Sequence, residues 1–527
     1  MDTTVKNQLW RLVKSLTKAE KRNFKLFSTR AAATTDSKFI QLFDLYARAE
    51  VLDDAAVMKR LKIKSGAYSN LKRHLYGQIL TSLRLIYINK EIDIELREQI
   101  DFSHILYGKG LVLDALRCLE RAKARAVEHN RDLIHLEILE FQKLIEARHI
   151  TLSRQVADKM DRLVNESAER SYSVLNTSEL FNQNIQIHGR YIESGHSRTE
   201  KEHTANAAFW KSIQTPSVSI ASLRETFHQS VNRFHADMWY AYIQLSFFDA
   251  RESALNALTR FRLDAPMTLK DPDLYLRCLY YVVMFSYLAD DQPSMARYTR
   301  DLSNFLTDNN DQLNENSRLI GQTYLGFCQI NDRFAIHDWV GAHAFTRERL
   351  AAYTAGTFRP NDHRWGLYLY KAAAAAFMLG RYDEATDHLN DIINMKSGIL
   401  REDLLINTRL LHILCNLELG NNMLVDYHLT NLARLLRRST DDARLHHLAV
   451  TSLRKYLKAL PAERDAILAD LRTEIDALTE DAYERKALRY LDLRVWLDQR
   501  LAGRAGRPQT TRGKLNFPVA GQPLRNS

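Results

Sequence analysis

The sequence predicts an all-α fold, a right-handed superhelical solenoid of antiparallel helix pairs that repeat about every 40 residues. The first observation is a turn signature, clearest at Gly380 with Ala385, Leu389 and Ile392, which recurs at steps of roughly forty residues. The second is the scarcity of helix breakers, because the chain has 18 glycines, 9 prolines and no proline before Pro216. Such a period is typical of stacked helical hairpins that bury their apolar faces against one another.

Residues 1–91 are predicted to form a basic N-terminal helical cap. Thr17 and Glu20 fit a capping box, Asp53 is a candidate cap of a later helix, and a long helix is expected from about Gly66 to Asn89. Residues 1–90 contain 18 Lys and Arg against 7 Asp and Glu. This positive segment precedes a mildly acidic body, which indicates either an anionic partner or attraction between the two parts.

Residues 92–495 are predicted to form the tetratricopeptide-like helical repeats. Further copies of the turn signature start at Gly110, Asp249 and Gly420, and weaker copies start at Thr151, Asp291 and Asn331. The small residues of the clear copies, Ala115, Ala254 and Ala385, are expected to be buried where paired helices approach closely. Loops at the repeat edges are expected over residues 195–219 and 354–364, where glycine, proline and polar residues concentrate.

Residues 496–527 are predicted to be a disordered basic tail. Glycine and proline become frequent after Trp496, and residues 501–527 contain 5 basic and no acidic residues. A segment of this composition has too few apolar groups to offset the conformational entropy lost on folding.

Two stretches, Leu369–Ile392 and Leu411–Leu432, resemble the tetratricopeptide repeat. Small residues stand where paired helices touch, a glycine ends the first helix, and Tyr382 follows it in the first stretch. The period exceeds the 34 or so residues of that family, and its closing proline is absent. The opening, Leu9 to Phe27, is also similar to the start of an uncharacterised group of large bacterial helical-repeat proteins. The resemblance implies a helical-repeat architecture and binding of a protein partner, and it supplies no catalytic residues.

The motif content favours a protein that is not an enzyme and carries no cofactor or metal. The sequence has no GxxxxGK[ST] loop, no GxSxG elbow and no HExxH pair. Its four cysteines, Cys118, Cys278, Cys328 and Cys415, are widely spaced and are expected to be buried free thiols. No apolar run is long enough to span a bilayer, so we expect a soluble cytoplasmic protein.

The leading hypothesis is a scaffold or adaptor that holds a protein or peptide segment on the concave face of the solenoid. Polar and aromatic residues on the first helix of each pair are the candidate contacts, provided that the core does not need them. The candidates are Tyr240, Gln244, Tyr368 and Asn416. The sequence does not identify the partner.

The alternative hypothesis is a transcriptional regulator with an N-terminal helix-turn-helix at about residues 53–90 and a repeat domain that senses a ligand. A short helix, a turn near Ser65 and a second helix would place Asn70 and Arg73 toward base edges while lysines neutralise phosphates. The candidate nucleic-acid-binding residues are Lys59, Arg60, Lys62, Lys64, Asn70, Lys72 and Arg73.

Overall fold

A computed structural model describes residues 8–31, 38–50, 52–149, 159–214, 225–356, 358, 360–395, 401–439 and 443–505. All regular secondary structure among these residues is helical, as the sequence predicts, and none of them lies in a β-strand. Contacts within the chain divide it into two compact units, unit 1 (Met1–Leu175) and unit 2 (Asn176–Ser527). Each unit is described separately.

Among the residues that the structure describes, unit 1 contains eight complete helices and the start of a ninth, which continues into unit 2. They are α1 (Gln8–Ser15), α2 (Lys18–Ala31), α3 (Lys38–Arg48), α4 (Asp54–Leu61), α5 (Ser65–Tyr87), α6 (Ile92–Gly108), α7 (Val112–Glu128), α8 (Asp132–Arg148) and α9 (Lys159–Ser194).

Unit 2 continues with helices that mostly pack against their neighbours in the chain. They are α10 (Glu200–Ile213), α11 (Phe227–Ile243), α12 (Phe247–Leu263), α13 (Met267–Lys270), α14 (Pro272–Leu288), α15 (Gln292–Asp308), α16 (Glu315–Ala335), α17 (Trp339–Thr354), α18 (Asp362–Met378), α19 (Tyr382–Ile393), α20 (Glu402–Glu418), α21 (Asn422–Leu436), α22 (Arg444–Lys458), α23 (Arg464–Leu478), α24 (Ala482–Leu488) and α25 (Leu493–Ala505).

The first five helices share one apolar core in unit 1. Leu42 and Leu75 are fully buried in it, because helical spacing places the apolar residues of each helix on one face. The predicted caps form: Glu20 accepts a hydrogen bond from the Thr17 amide at 2.8 Å, and Asp53 accepts one from the Ala56 amide at 3.0 Å. A second core, built by α6, α7 and α8, includes the buried Ala115.

Seven connections between successive helices in the described ranges turn through one residue with positive φ, followed at once by the N-cap of the next helix. At Gly110, with φ of +79°, the Gly110 amide donates to the Tyr107 carbonyl at 2.9 Å and the next amide donates to the Leu106 carbonyl at 3.0 Å. These two bonds satisfy carbonyls that the end of α6 leaves unpaired, as in a Schellman motif. Residues that occupy this position are Gly110, Asn130, Leu245, Asp290, His337, Gly380 and Gly420.

The observed positions of these turns differ from three of the predicted repeat markers, which were therefore wrong. The prediction placed them at Asp249, Asp291 and Asn331, whereas the positive-φ residues are Leu245, Asp290 and His337. Glycine and polar residues favour such turns, but the backbone hydrogen bonds also hold the larger Leu245 and His337 in this conformation. From Leu245 to Gly420 the turns are 45, 47, 43 and 40 residues apart. The marker proposed at Thr151 lies outside the described residues.

The small residues of the clear copies are buried as predicted: Ala115, Ala254 and Ala385 are at most 1% exposed. The residues five, nine and twelve positions after Gly380 and Gly420 are also buried, namely Ala385, Leu389, Ile392, Val425, Leu429 and Leu432. The signature therefore marks the face of the second helix that packs against the first.

The predicted loop over residues 195–219 contains a helix. α10 begins after Thr199, whose side chain accepts from the Glu202 amide at 3.2 Å while Glu202 accepts from the Thr199 amide at 3.0 Å. This capping box stabilises a helix start in a stretch that we read as polar loop because of Gly195. Residues 215–219 lie outside the described part of the chain.

The predicted boundary of the disordered tail at residue 496 is wrong. α25 continues to Ala505, and both Trp496 and Leu497 are buried. The indole of Trp496 donates to Glu418 at 2.8 Å, so these residues belong to the packed part of unit 2. Residues 506–527, where most of the predicted tail falls, lie outside the described part of the chain.

Candidate functional site

Two of the four residues proposed to contact a partner lie in the core of unit 2. Tyr368 is 1% exposed, packs 4.4 Å from the Phe327 ring and donates to the Thr323 carbonyl at 3.2 Å. Asn416 is 3% exposed and accepts from the side chain of Asn421, the N-cap of α21, at 3.1 Å. Both side chains maintain the fold, so the proposal that they contact a partner is corrected.

Tyr240 and Gln244 are half-buried and hold α10. The Tyr240 ring stacks on Trp210 at 5.1 Å, and Gln244 bonds to the His203 ring at 2.5 Å and to the His203 carbonyl at 3.2 Å. Because a loop is predicted over residues 195–219, the sequence gives no indication of these contacts with His203 and Trp210 of α10. Neither residue is a freely accessible contact for a partner.

Residues 481–500, here called the C-terminal segment, contact the first helices of several hairpins in unit 2. Tyr287 of α14 and Lys371 of α18 both donate to the Arg489 carbonyl, at 3.2 and 3.4 Å. Tyr490 donates to Asp403 of α20 at 2.7 Å. The part of unit 2 where α14, α18 and α20 meet these residues is therefore already covered by polypeptide.

The central contact of the C-terminal segment is a buried ion cluster around Asp403. Arg401 lies 2.5 Å and Lys486 3.6 Å from the carboxylate, which is 6% exposed. Burial raises the pKa of Asp403, but the two cations and the hydrogen bond from Tyr490 outweigh it and hold the pKa well below its usual range. Removing one partner would leave a buried charge uncompensated, so the cluster fixes the segment in one position.

Unit 1 has an open groove, here called the α7–α9 groove, with a volume of about 940 Å³. Four leucines, four acidic residues, four basic residues and one glutamine line it. They are Leu106, Leu113, Asp114, Leu116, Arg117, Glu120, Arg121, Lys123, Gln142, Glu146, Arg162, Leu163 and Glu166. The sequence analysis did not single out any of these residues as a contact.

One face of α7 supplies more than half of this lining. Leu113, Arg117 and Glu120 stand at intervals of three to four residues, which places them on one side of a helix. The buried stripe of α7 runs through Ala115 and Leu119 instead. Leu113 is 51% exposed because it does not lie on the buried face of α7. A leucine at a position that helical periodicity assigns to the exposed face is the feature of the sequence that could have indicated this surface.

The wall of the groove is held by a network centred on Glu166 of α9. Glu166 lies 3.1 Å from Lys123 of α7 and 2.9 Å from the ring of His135 of α8. Burial raises the pKa of Glu166, but the combined effect of Lys123 and His135 is larger and lowers the pKa below its ordinary value. The carboxylate is therefore ionised at neutral pH. Burial lowers the pKa of His135, and the charge of Arg170 lowers it too. The network ties three helices together and keeps the groove lining charged.

The chemistry of the groove suits binding. Acidic and basic side chains surround the leucines of the groove. A ligand with both apolar and charged groups could therefore pack on the leucines and form ion pairs with the charged residues. Within the described ranges, no group of three or more His, Cys, Asp or Glu side chains is placed to hold a metal ion. Across the same ranges, no helix combines the length and apolar character needed to cross a membrane. All four cysteines are buried free thiols, as expected.

The structure separates the seven proposed nucleic-acid-binding residues into two groups. Six are exposed: Lys59, Arg60, Lys62, Lys64, Asn70 and Arg73. Lys72 is instead part of the fold, because its ammonium lies 3.3 Å from Asp54 and 4.3 Å from the centre of the Tyr68 ring. The expectation that Lys72 contacts nucleic acid is therefore corrected.

Comparisons of this chain with protein-family models, with curated proteins and with solved structures find no match.

Proposed function

We propose that this chain is a non-enzymatic scaffold, a tetratricopeptide-like solenoid that binds a segment of a partner protein in the α7–α9 groove. The single observation that carries the proposal is the groove itself, which is open and lined by leucines among four acidic and four basic residues. The balance of charge favours a polypeptide with side chains of both signs over a strongly anionic ligand.

The occupant is proposed to be an amphipathic helix. Leu106, Leu113 and Leu116 offer an apolar strip, and Arg117 and Arg121 offer exposed cations beside it. A helix that docks in a groove presents apolar residues at intervals of three or four, with charges at the edges.

The test compares two substitutions of exposed leucines in unit 1. Leu113→Asp places a carboxylate inside the groove, whereas Leu133→Asp makes the same change on α8 at a residue that does not line it. The two leucines are 51% and 66% exposed, so neither change should unfold the protein.

Tagged full-length protein is captured from the cells that produce it, and bound proteins are quantified for the wild type and both variants. We expect a protein that the wild type and Leu133→Asp retain equally and that Leu113→Asp loses by at least about tenfold, because buried apolar anchors dominate such interfaces. Equal retention by all three proteins would contradict binding in the groove.

A further inference from the structure

The surface of α4 and α5 is strongly basic beyond Asp54, the first residue of α4. Between Ala55 and Lys90 the sequence has eight Lys and Arg and no Asp or Glu. Lys59, Arg60, Lys62 and Lys64 are exposed, and none of them forms an ion pair with any residue that the structure describes. Four unneutralised cations within six positions create a local positive potential that attracts polyanions.

The two helices have the arrangement of a helix-turn-helix. α4 has eight residues, and a connection of three residues leads to α5. Lys62 begins the connection in the left-handed conformation, with φ of +51°, and the Ile63 amide closes the turn on the Met58 carbonyl at 3.2 Å. Both helices pack on the apolar core that the first five helices share, through the buried residues Val57, Leu61 and Tyr68.

The position of α5 is fixed by hydrogen bonds as well as by packing. Tyr68 bonds to the hydroxyl of Tyr46 on α3 at 2.7 Å and donates to Asp54 of α4 at 2.5 Å. Lys72 closes the same network through Asp54. The first half of α5 is thus anchored on its inner side, and its outer side is free to meet a ligand.

The outer side of α5 suits close approach to a groove. Gly66, Asn70, Arg73 and Gly77 lie along one stripe of the helix and are exposed. A methyl group added at either glycine would meet nothing within 4 Å. A helix about 10–12 Å across, with glycine at two positions of its outer face, fits the major groove of B-DNA, which is about 12 Å wide.

We propose that the α4–α5 surface binds duplex DNA in the major groove, independently of the α7–α9 groove. Arg73 and Asn70 face the base edges, and Lys59, Arg60, Lys62 and Lys64 neutralise phosphates. Duplex is favoured over single strands, because binding of single strands uses exposed aromatic rings, whereas Tyr68 of α5 is buried and Tyr76 is half-buried against the core.

The experiment measures fluorescence anisotropy of a labelled mixed-sequence DNA duplex with the full chain over a range of KCl concentrations. A triple variant, Lys59→Glu with Lys62→Glu and Arg73→Glu, is compared with a control, Lys109→Glu with Lys201→Glu and Lys211→Glu. All six residues are exposed, and both variants change the net charge equally. A non-specific effect of total charge would therefore weaken binding equally in both.

We expect wild type and control to bind within about twofold of each other, with affinity that falls steeply as salt rises. The triple variant should bind at least tenfold more weakly, and its salt slope should be smaller by about 0.9 for each lost phosphate contact. Equal loss in both variants, no binding by the wild type at low salt, or tighter binding to an RNA duplex would each overturn the proposal.

A second variant tests base contact separately. Asn70→Ala removes an exposed amide without changing charge, so circular dichroism and the salt slope should match the wild type. The ratio of affinities for A·T-rich and G·C-rich duplexes should change by at least about threefold, because an amide that bonds to adenine discriminates between bases. An unchanged ratio would overturn the assignment of Asn70 to base edges.

Discussion

At the scale of single residues, Lys371 of unit 2 is a buried lysine with a strongly lowered pKa. Its ammonium lies 3.9 Å from the centre of the Phe334 ring and donates to the Arg489 carbonyl at 3.4 Å. Burial, with the nearby charge of Arg489, lowers its pKa to about 7. The folded protein therefore holds the C-terminal segment with a lysine that loses its charge near neutral pH.

This pKa predicts a pH-dependent contribution to stability. Between pH 7 and the ordinary lysine pKa, the unfolded chain binds more protons at this residue than the folded chain, so stability rises with pH. We compare the free energy of unfolding of wild type and Lys371→Met by denaturant titration between pH 7.5 and 9.5. The stability of the wild type relative to Lys371→Met should improve by roughly 1 kcal/mol per pH unit. A difference that does not vary with pH would show that Lys371 is not desolvated.

The sequence distinguished core from surface well for apolar residues and poorly for polar ones. Ala115 and Leu389 are buried because the register of the signature fixes their face. Tyr368 and Asn416 were expected to be accessible because they are polar, yet their hydrogen bonds to Thr323 and Asn421 allow them to be buried. Such partners lie on other helices or past a turn, and helical periodicity carries no information about them.

At the scale of helices, the turn between α6 and α7 offers a matched pair of glycines. Gly110 occupies the turn with φ of +79°, whereas Gly108 is the last residue of α6 and has no positive φ. A Cβ at either position would meet nothing within 4 Å. Any difference between the two alanine substitutions therefore comes from the backbone conformation alone.

Gly110→Ala should destabilise the protein by roughly 1 kcal/mol, because alanine is strained in the left-handed region. Gly108→Ala should instead be neutral or stabilising by up to about 1 kcal/mol, because alanine favours the helix and restricts the unfolded chain. Thermal unfolding followed by circular dichroism measures both. Similar melting temperatures for the two variants would mean that Gly110 does not need its positive φ.

The glycine turns were predictable from the sequence, and the others were not. Gly110, Gly380 and Gly420 mark their turns because glycine adopts positive φ at little cost. Leu245 and His337 adopt the same conformation, and only their backbone hydrogen bonds identify it. The glycine pattern therefore identifies part of the series, and the predicted markers at Asp249, Asp291 and Asn331 lie four, one and six residues from the turns at Leu245, Asp290 and His337.

At the scale of the molecule, the C-terminal segment is the feature that sequence reasoning could not find. Its contacts join residues about 200 positions apart, such as Tyr287 with Arg489 and Asp290 with Arg489. No periodic pattern connects such positions. The prediction of an open surface along the first helices therefore fails for this part of unit 2, and the α7–α9 groove of unit 1 becomes the candidate site.

Photocrosslinking tests the central claim, that the α7–α9 groove is open to a partner protein while the C-terminal segment covers part of unit 2. A photoreactive phenylalanine analogue replaces Leu113 in the groove, Leu133 outside it, or Trp339, which lines a cavity together with Arg489 and Tyr490. Cells that produce each variant are irradiated, and the adducts are identified by mass spectrometry. We predict a discrete adduct with another protein from position 113, no such adduct from position 133, and an adduct within the chain to residues 479–494 from position 339. The account would be contradicted if positions 113 and 133 gave the same adducts, or if position 339 captured another protein instead of the C-terminal segment.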